Sequence, residues 1–343
     1  MTRSAHSTAC RGDPPGEADL PTVLGVYEEL GRLDGSVAWG VWNGNLGVVA
    51  GMLHDDGIAA VWGDGPDPVI ANSGRPTGAA TAVDDGFRLS GRWDMVSAID
   101  SSDWVVPFGL VMGSSGPVMV APGVPDVRAF FVRTAEATIV DTWHVGGMRG
   151  TGSNSVVADG VFVADALAPS PFAPPRIDRA AFRVPAFTSL SCGSAAVCLG
   201  IARAAIDALV ELAPTKATAV GGTLAALASA QRDIAAADAD VTAARLLLLD
   251  AAAGVSAAAE RGEVTMAERG RLRAAMCHAA VVTRRVVTSM YELGSSSSLY
   301  EGNRLERLFR DRHAAAQHGL LNPLQLEPAG RLLLGLDAAV AVC

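Results

Sequence analysis

The sequence changes its periodicity twice, and that order limits the fold more than any single residue does. Residues 21 to about 62 read as helical. Pro21 suits a first helical turn, and Val23, Leu24, Val26, Tyr27, Leu30 and Leu33 recur at helical spacing. A second apolar helix is predicted over Ser36 to Val49 and a short third one over Asp55 to Trp62. Residues 69 to about 165 then read as strands. Asp85-Gly86 between Thr81–Val83 and Phe87–Leu89 is a hairpin signal. Further runs follow at Trp104–Val111, Val118–Ala121, Ala129–Val132, Thr138–Val140 and Ser155–Val163. Short strands punctuated by Gly and Pro suggest a small barrel or sandwich. Pro169, Pro171, Pro174 and Pro175 mark a linker, after which helical texture returns. Five helices are predicted there: Ser189–Leu212, Leu224–Arg261, Met266–Leu293, Arg304–Leu320 and Glu327–Ala341. The second is Ala-rich, with Leu224, Leu227, Ile234, Val241 and Leu248 near heptad spacing, which suits an antiparallel bundle. The expected organisation is a disordered start (1–20), an N-terminal helical domain (21–66), a middle β-domain (67–168) and a C-terminal helical bundle (169–343).

Composition narrows the partners. Half of the 343 residues are hydrophobic and 18% are charged, which excludes a disordered chain. A net charge of −9 repels phosphate backbones, so no nucleic-acid partner is expected. Lys216 is the only lysine among otherwise arginine-based cations, which reads as coding bias. The five cysteines (Cys10, Cys192, Cys198, Cys277 and Cys343) match no zinc spacing and no disulfide framework, so no metal is expected. The apolar stretches near 190–210 and 241–258 are broken by Arg203, Arg245 and Asp250. No membrane span is predicted from them, and the first twenty residues hold no apolar signal region. The expectation is a cytoplasmic protein without a membrane partner.

Three segments carry chemistry. GRWDMVSAIDSSDW (91–104) sets Ser97 four positions after Trp93, at a strand end. A backbone N–H and a hydroxyl there can meet the polar edge of a flat ring; alone, Ser97 reads as a turn serine. DTWHVGGMRGTGSNSVVADGVFV (141–163) combines backbone freedom at Gly150 and Gly152 with the hydroxyls of Thr151 and Ser153 and the charge of Arg149. A phosphate loop does not fit, because no Lys-Ser or Lys-Thr follows and the segment leads into a strand. His144 reads as structural. YELGSSSSLYEGNRLERLFRDRHAAAQHGLLNP (291–323) runs from a small-residue turn, Gly294 to Ser298, into a helix bearing Arg310-Asp311 and then His313 and His318. Imidazole titrates near neutral pH and can move a proton; by spacing alone both histidines read as members of an amphipathic helix. EELGRLDGSVAW (28–39) adds Asp34, a helix cap, and Trp39 and Trp42, read as core.

Over about residues 20 to 335 these segments resemble the acyl-CoA dehydrogenase-like flavoproteins, and within them the two-component, flavin-dependent monooxygenase branch. The resemblance implies an α+β fold: shortened N-terminal helices, a middle β-barrel or sandwich and a C-terminal four-to-five-helix bundle. It implies reduced FMN or FAD in a cleft between the β-domain and the bundle, contacted by Trp93, Ser97, Arg149, Thr151, Gly152, Ser153, Ser295 and Ser296. Ser97 and His318 are implied as the catalytic pair, acting on a flavin hydroperoxide that hydroxylates, or N- or S-oxygenates, a small organic substrate. A separate flavin reductase and a homotetramer or dimer are implied as well, with Arg310-Asp311 as a structural or intersubunit ion pair.

Departures from the family pattern are specific. Ala98 stands where relatives carry Gly after the serine. Trp42, Asn43 and Asn45 stand where many carry a histidine, and relatives begin with one or two more helices. The alternative is an acyl-CoA dehydrogenase, for which Tyr300-Glu301-Gly302 is a lure. That family's base follows the Arg-Asp pair, where this chain reads Gln317-His318-Gly319 without a carboxylate. A second alternative is a degenerate, non-catalytic homologue.

Overall fold

The computed structural model describes residues 18–65 and 67–338. Residues 1–17 of the expected disordered start, and the predicted end of the last helix at Ala341, lie outside the described residues. The described chain divides into two compact units, and it passes between them more than once. One unit takes residues 43–144 and 151–186; the other takes 18–42, 145–150 and everything from 187 onward.

The first unit is built on an eight-stranded mixed sheet. β1 (Ile70–Val83), β2 (Gly86–Trp93), β3 (Trp104–Gly113) and β10 (Ser155–Ala164) are its long strands. The short strands are β4 (Gly116–Pro117), β7 (Val127–Ala129), β8 (Val132–Arg133) and β9 (Thr138–Val140). The order is β4-β3-β1-β2-β10-β9, with β7 and β8 also on β3. Only β1 and β3 run parallel; β1–β2 and β2–β10 are antiparallel. β5 (Met119–Ala121) and β6 (Val124–Pro125) form a separate ribbon. The β1–β2 hairpin is present, but its turn is Asp84-Asp85, with Asp85 at φ +61°. Gly86 already pairs in the strand; a Cβ there would lie 2.3 Å from the Val163 carbonyl of β10. Alternation along the strands sends Ala71, Leu89, Trp93, Val105, Val111, Phe130 and Val156 into one buried cluster.

The second unit is helical. α1 (Leu20–Leu33) starts at Asp19, whose carboxylate accepts from Thr22 N at 2.9 Å, with Pro21 in the first turn. Its buried stripe is Leu20, Leu24, Tyr27 and Gly31; Val26 and Leu33, read as core from their spacing, face solvent. α2 (Gly35–Gly44) stops six residues before the short helix α3 (Gly47–Ala50) ends, so the predicted single helix to Val49 is broken near Asn45. α3, α4 (Asp55–Trp62) and α5 (Ala180–Arg183) belong to the first unit. The bundle helices are α6 (Ala186–Leu212), α7 (Ala228–Arg261), α8 (Met266–Gly294), α9 (Arg304–Ala315) and α10 (Leu326–Leu333). α8 touches α7, α9 and α10, and α1 lies on α7. Small side chains make the α7 seam: Ala237, Val241, Ala244, Leu248, Ala251 and Val255 are buried.

Two expectations change here. α7 is long and apolar enough to cross a membrane by length and composition, contrary to the reading of its broken apolar stretch. In this chain it is a bundle helix. It carries Arg245 paired with Glu28 at 2.7 Å, Asp250 with Arg271 at 2.5 Å and Asp240 with Arg285 at 2.6 Å. The helix predicted over Arg304 to Leu320 ends at Ala315, and a separate 3₁₀ turn, Gly319–Leu321, follows.

α8 begins with a capping box. Glu268 accepts from Thr265 N at 2.7 Å, while the Thr265 hydroxyl receives the Glu268 N–H. The Thr265 hydroxyl, which also donates to the Glu268 carboxylate, and then the Thr265 backbone N–H hold the Glu268 carboxyl below its usual range. Thr265→Ala is expected to lower stability by about 1 kcal/mol at neutral pH, read by urea unfolding. A carboxyl held low in the folded state stabilises above its unfolded pKa of 4.5 and loses that effect on acidification. The gap between wild type and Thr265→Ala should therefore shrink below about pH 4.5.

Candidate functional site

In the β-unit, the end of β2 and the start of β10 bring two of the three motif segments together. The loop after Trp93 runs beside residues 151–154, tied by Val96 N to Asn154 O (3.1 Å) and Ala98 N to Thr151 O (2.7 Å). Ser97 lies between these two bonds. Its hydroxyl is 2.8 Å from the Ser153 hydroxyl, which is 2.7 Å from that of Thr151. All three side chains are buried. On the other side the Asn43 amide donates to the Ser97 carbonyl at 3.2 Å, and Asn72 donates to the Asn43 carbonyl at 2.7 Å.

A second layer fixes the loops. Asn154 Oδ1 accepts from Thr142 N and Trp143 N, both at 3.0 Å, and its Nδ2 donates to both Asp100 oxygens. Ser155 donates to Asp94 at 2.6 Å. The Ser155 hydroxyl, then the Arg92 guanidinium, hold the Asp94 carboxyl below the usual range. Gly152 takes φ +51°, and a Cβ there would sit 2.8 Å from Asp100 Oδ2.

The helical unit holds the third segment. His318 lies beyond α9, not on it with His313. It caps the 3₁₀ turn, its Nδ1 accepting from Leu320 N at 3.4 Å. That bond puts the proton of the neutral ring on Nε2. The ring meets Trp39 edge-on at 5.4 Å and Trp42 at 5.6 Å. Both indoles are buried, and Trp42 donates to the Leu190 carbonyl at 2.6 Å. Asp34 caps α2 as expected, accepting from Ser36 N (2.9 Å) and Val37 N (3.1 Å). His313 is bound to its own helix through the Phe309 carbonyl at 2.8 Å.

Arg310 and Asp311 do not pair with each other. Arg310 binds Glu306 and the Gly146 carbonyl. Asp311 accepts from Met148 N at 2.6 Å, so both fasten the 145–150 segment. Burial raises the Asp311 carboxyl, and the Met148 N–H opposes that rise.

Other expected residues are distributed differently. Trp93 is 1% exposed in the sheet core and donates to the Phe108 carbonyl at 2.7 Å, so its side chain is held in the core. Arg149, Ser295, Ser296 and Glu301 are exposed. In the turn after α8, Ser297 accepts from Lys216 at 3.0 Å, and the buried Ser298 hydroxyl has no hydrogen-bond partner. Sequence reading missed Asn43, Asn72, Asn154, Asp100 and Lys216. For Asn154 a signal existed, an amide directly after the Gly-Thr-Gly-Ser run; for Lys216 it was the solitude of one lysine among arginines.

Among the described residues, five non-glycine residues have positive φ: Asp85, Met95, Ala98, Met148 and Ser295. Four of these five lie in the three motif segments, and such strain gathers at functional sites.

Comparison with known proteins places these elements. Residues 192–323 match the family model described as acyl-CoA dehydrogenase, C-terminal domain. The chain is 29% identical over 312 residues to an indole-3-acetate monooxygenase of Pseudomonas putida, covering 90% of this chain and 78% of that protein. It is 29% identical over 324 residues to the oxygenase subunit HsaA, a flavin-dependent monooxygenase of Rhodococcus jostii, covering 90% of this chain and 82% of that protein. XiaF from a Streptomyces species, solved in complex with FADH2 and glycerol, superposes with a TM-score of 0.88 at 26% identity, covering 95% of this chain and 84% of that one. The fold is thus acyl-CoA dehydrogenase-like, as expected.

The φ of +63° at Ala98 explains the glycine expected there. An alanine in this region costs about 1–2 kcal/mol, partly offset by its stiffer unfolded chain. Ala98→Gly is expected to raise stability by roughly 0.5 kcal/mol, and Ala98→Val to lower it by more, both measured by chemical unfolding.

Proposed function

We propose that this chain, an acyl-CoA dehydrogenase-like protein of the two-component, flavin-dependent monooxygenase branch, uses reduced flavin and O2 to oxygenate a small organic molecule. The observation that carries this reading is His318. Where a dehydrogenase of this fold would set its carboxylate base, this chain sets an imidazole, oriented by a backbone N–H and bracketed by Trp39 and Trp42. Glu301 is exposed ahead of α9 and offers no substitute.

The residues of the β-unit suit a flavin. Its polar ring edge alternates donors and acceptors, and buried hydroxyls can serve either role. Ser97, Ser153 and Thr151 supply three of them, with the Gly152 backbone beside them in a left-handed turn. When bound, reduced flavin supplies the electrons that activate oxygen. Ser97 hydrogen-bonds the reacting edge. His318, with its Nε2–H, holds or moves a proton for oxygen transfer. The buried indoles exclude water and give an aromatic or otherwise flat substrate an apolar surface. Either FMN or FAD satisfies this scheme, and a separate reductase delivers it reduced. The protein works in the cytoplasm as a homotetramer or dimer; the exposed Leu246 and Leu247 on the Ala-rich α7 give a subunit face.

Stopped-flow absorbance tests this reading. Protein mixed anaerobically with reduced FMN or FAD, then with oxygenated buffer, should give a flavin absorbance transient that outlives that of free flavin. His318→Ala should shorten it at least about tenfold. Bleaching of the oxidised flavin by acyl-CoA would point to a dehydrogenase instead. Absence of flavin binding in both redox states would point to a non-catalytic homologue.

A further inference from the structure

Arg273 is a buried charge that the oxygenation scheme leaves unused. It sits on α8 at 2% exposure, and among the described residues neither Nη1 nor Nη2 has a hydrogen-bond partner. The other buried guanidinium of the bundle differs. Arg312 donates through Nε to the Thr283 hydroxyl at 2.9 Å and through Nη2 to the Ala280 carbonyl. Acids on the elements around Arg273 are engaged elsewhere: Glu268 closes the capping box of α8, and Glu327 at the start of α10 is exposed. A guanidinium keeps its proton at any working pH, so burial leaves a full charge here. Such a charge is strongly unfavourable until an anion meets it.

The packing around Arg273 leads to the ring cluster of His318. Burial pushes the Cys192 and Cys277 thiols up, and the Arg273 charge opposes that rise at both, so it lies within electrostatic reach of both. Cys192 belongs to the α6 turn on which Trp42 is seated. The indole donates to the Leu190 carbonyl at 2.6 Å, and a Cβ on Gly193 would collide with its ring. Cys277 lies beside the turn that follows His318, its thiol on the Asn322 carbonyl at 3.8 Å. Ser191 meets Met276 Sδ at 3.6 Å, which brings α6 onto the α8 turn after Arg273. The guanidinium thus stands beside the two segments, 190–193 and 318–322, that hold Trp42 and His318. Nη1 and Nη2 form a flat, two-pronged donor that matches the two oxygens of a carboxylate. The rings of Trp39, Trp42 and His318 suit a flat apolar body. Resting on the reading that these rings line the substrate's place, we propose that Arg273 anchors a substrate carboxylate and that the substrate is an aromatic acid. Its ring lies against the indoles and its carboxylate meets Arg273. Arg273 moves no proton; it binds and orients.

The probes are benzoate, phenylacetate and 2-naphthoate, each beside its neutral amide. They are titrated calorimetrically into the full chain, with and without FMN, in buffer free of other carboxylates. At least one acid should bind on the order of 10- to 100-fold more tightly than its amide. Arg273→Gln should bring that pair within about twofold of each other, chiefly by weakening the acid. Arg273→Lys, which keeps the charge but not the fork, should retain part of the preference. Arg273→Met serves if Arg273→Gln folds poorly, and its ligand-free urea midpoint should equal or exceed that of the wild type. A preference that survives in Arg273→Gln, or no preference for any acid in the wild type, would overturn the anchor. So would acetate or chloride raising the unfolding midpoint as much as the aromatic acids do, which would make Arg273 a structural anion site. If no acid is preferred but the flavin transient persists, the anchor falls and the oxygenase reading stands. Acids preferred by a chain that binds FMN in neither redox state would overturn that reading and leave the anchor.

Discussion

The β-unit site hangs on one amide. Asn154 accepts two backbone N–H groups of the 142–143 turn, donates to Asp100, and receives Val96 N on its own carbonyl. Two separate stretches of chain thus converge on its side chain and a third on its backbone carbonyl. An apolar replacement would take one shared partner from the Thr142 and Trp143 N–H groups and the Asp100 carboxylate at once. The Ser97–Ser153 contact exists because Asn154 and the flanking backbone bonds hold the two loops in register.

That arrangement also explains where the backbone is strained. Met95 and Ala98 bracket Ser97, Met148 precedes the glycine-rich turn, and Ser295 ends α8, all in left-handed or related regions. Each is uncommon for a residue with a Cβ. Hydrogen bonds on either side over-determine them: Ala98 N is fixed by Thr151 O, and Met148 N by Asp311. Local propensity yields to these tertiary bonds at these positions, while caps and patterning remain consistent elsewhere.

Much of this was legible in the sequence, for physical reasons that differ from place to place. Helix–strand–helix order follows from periodicity, and Asp34 is the kind of oxygen-bearing residue that a helix start requires. The hydroxyl cluster was visible as three residues, but its geometry was not, because Ser97 and Ser153 are far apart in sequence and meet only through sheet register. The Trp93 side chain sits in the sheet core, because one aromatic serves equally well as core or as site wall and only packing decides. His318 was placed on a helix because its spacing from Arg310 is helical; the helix stops at Ala315, and the ring caps a turn instead. Arg310 and Asp311, adjacent and opposite in charge, suggested a pair, yet neighbours on a helix point in different directions. The asparagines were silent because amides have no pattern, only partners.

Lys216 has a practical side. It is the chain's only ε-amine, half-buried, with its nitrogen on the Ser297 hydroxyl. Amine-directed labelling, cross-linking or acetylation therefore has one side-chain target in this chain, beside the small-residue turn after α8. Among side chains, any such reagent would report on that turn, without mutagenesis, as a probe already present in the sequence.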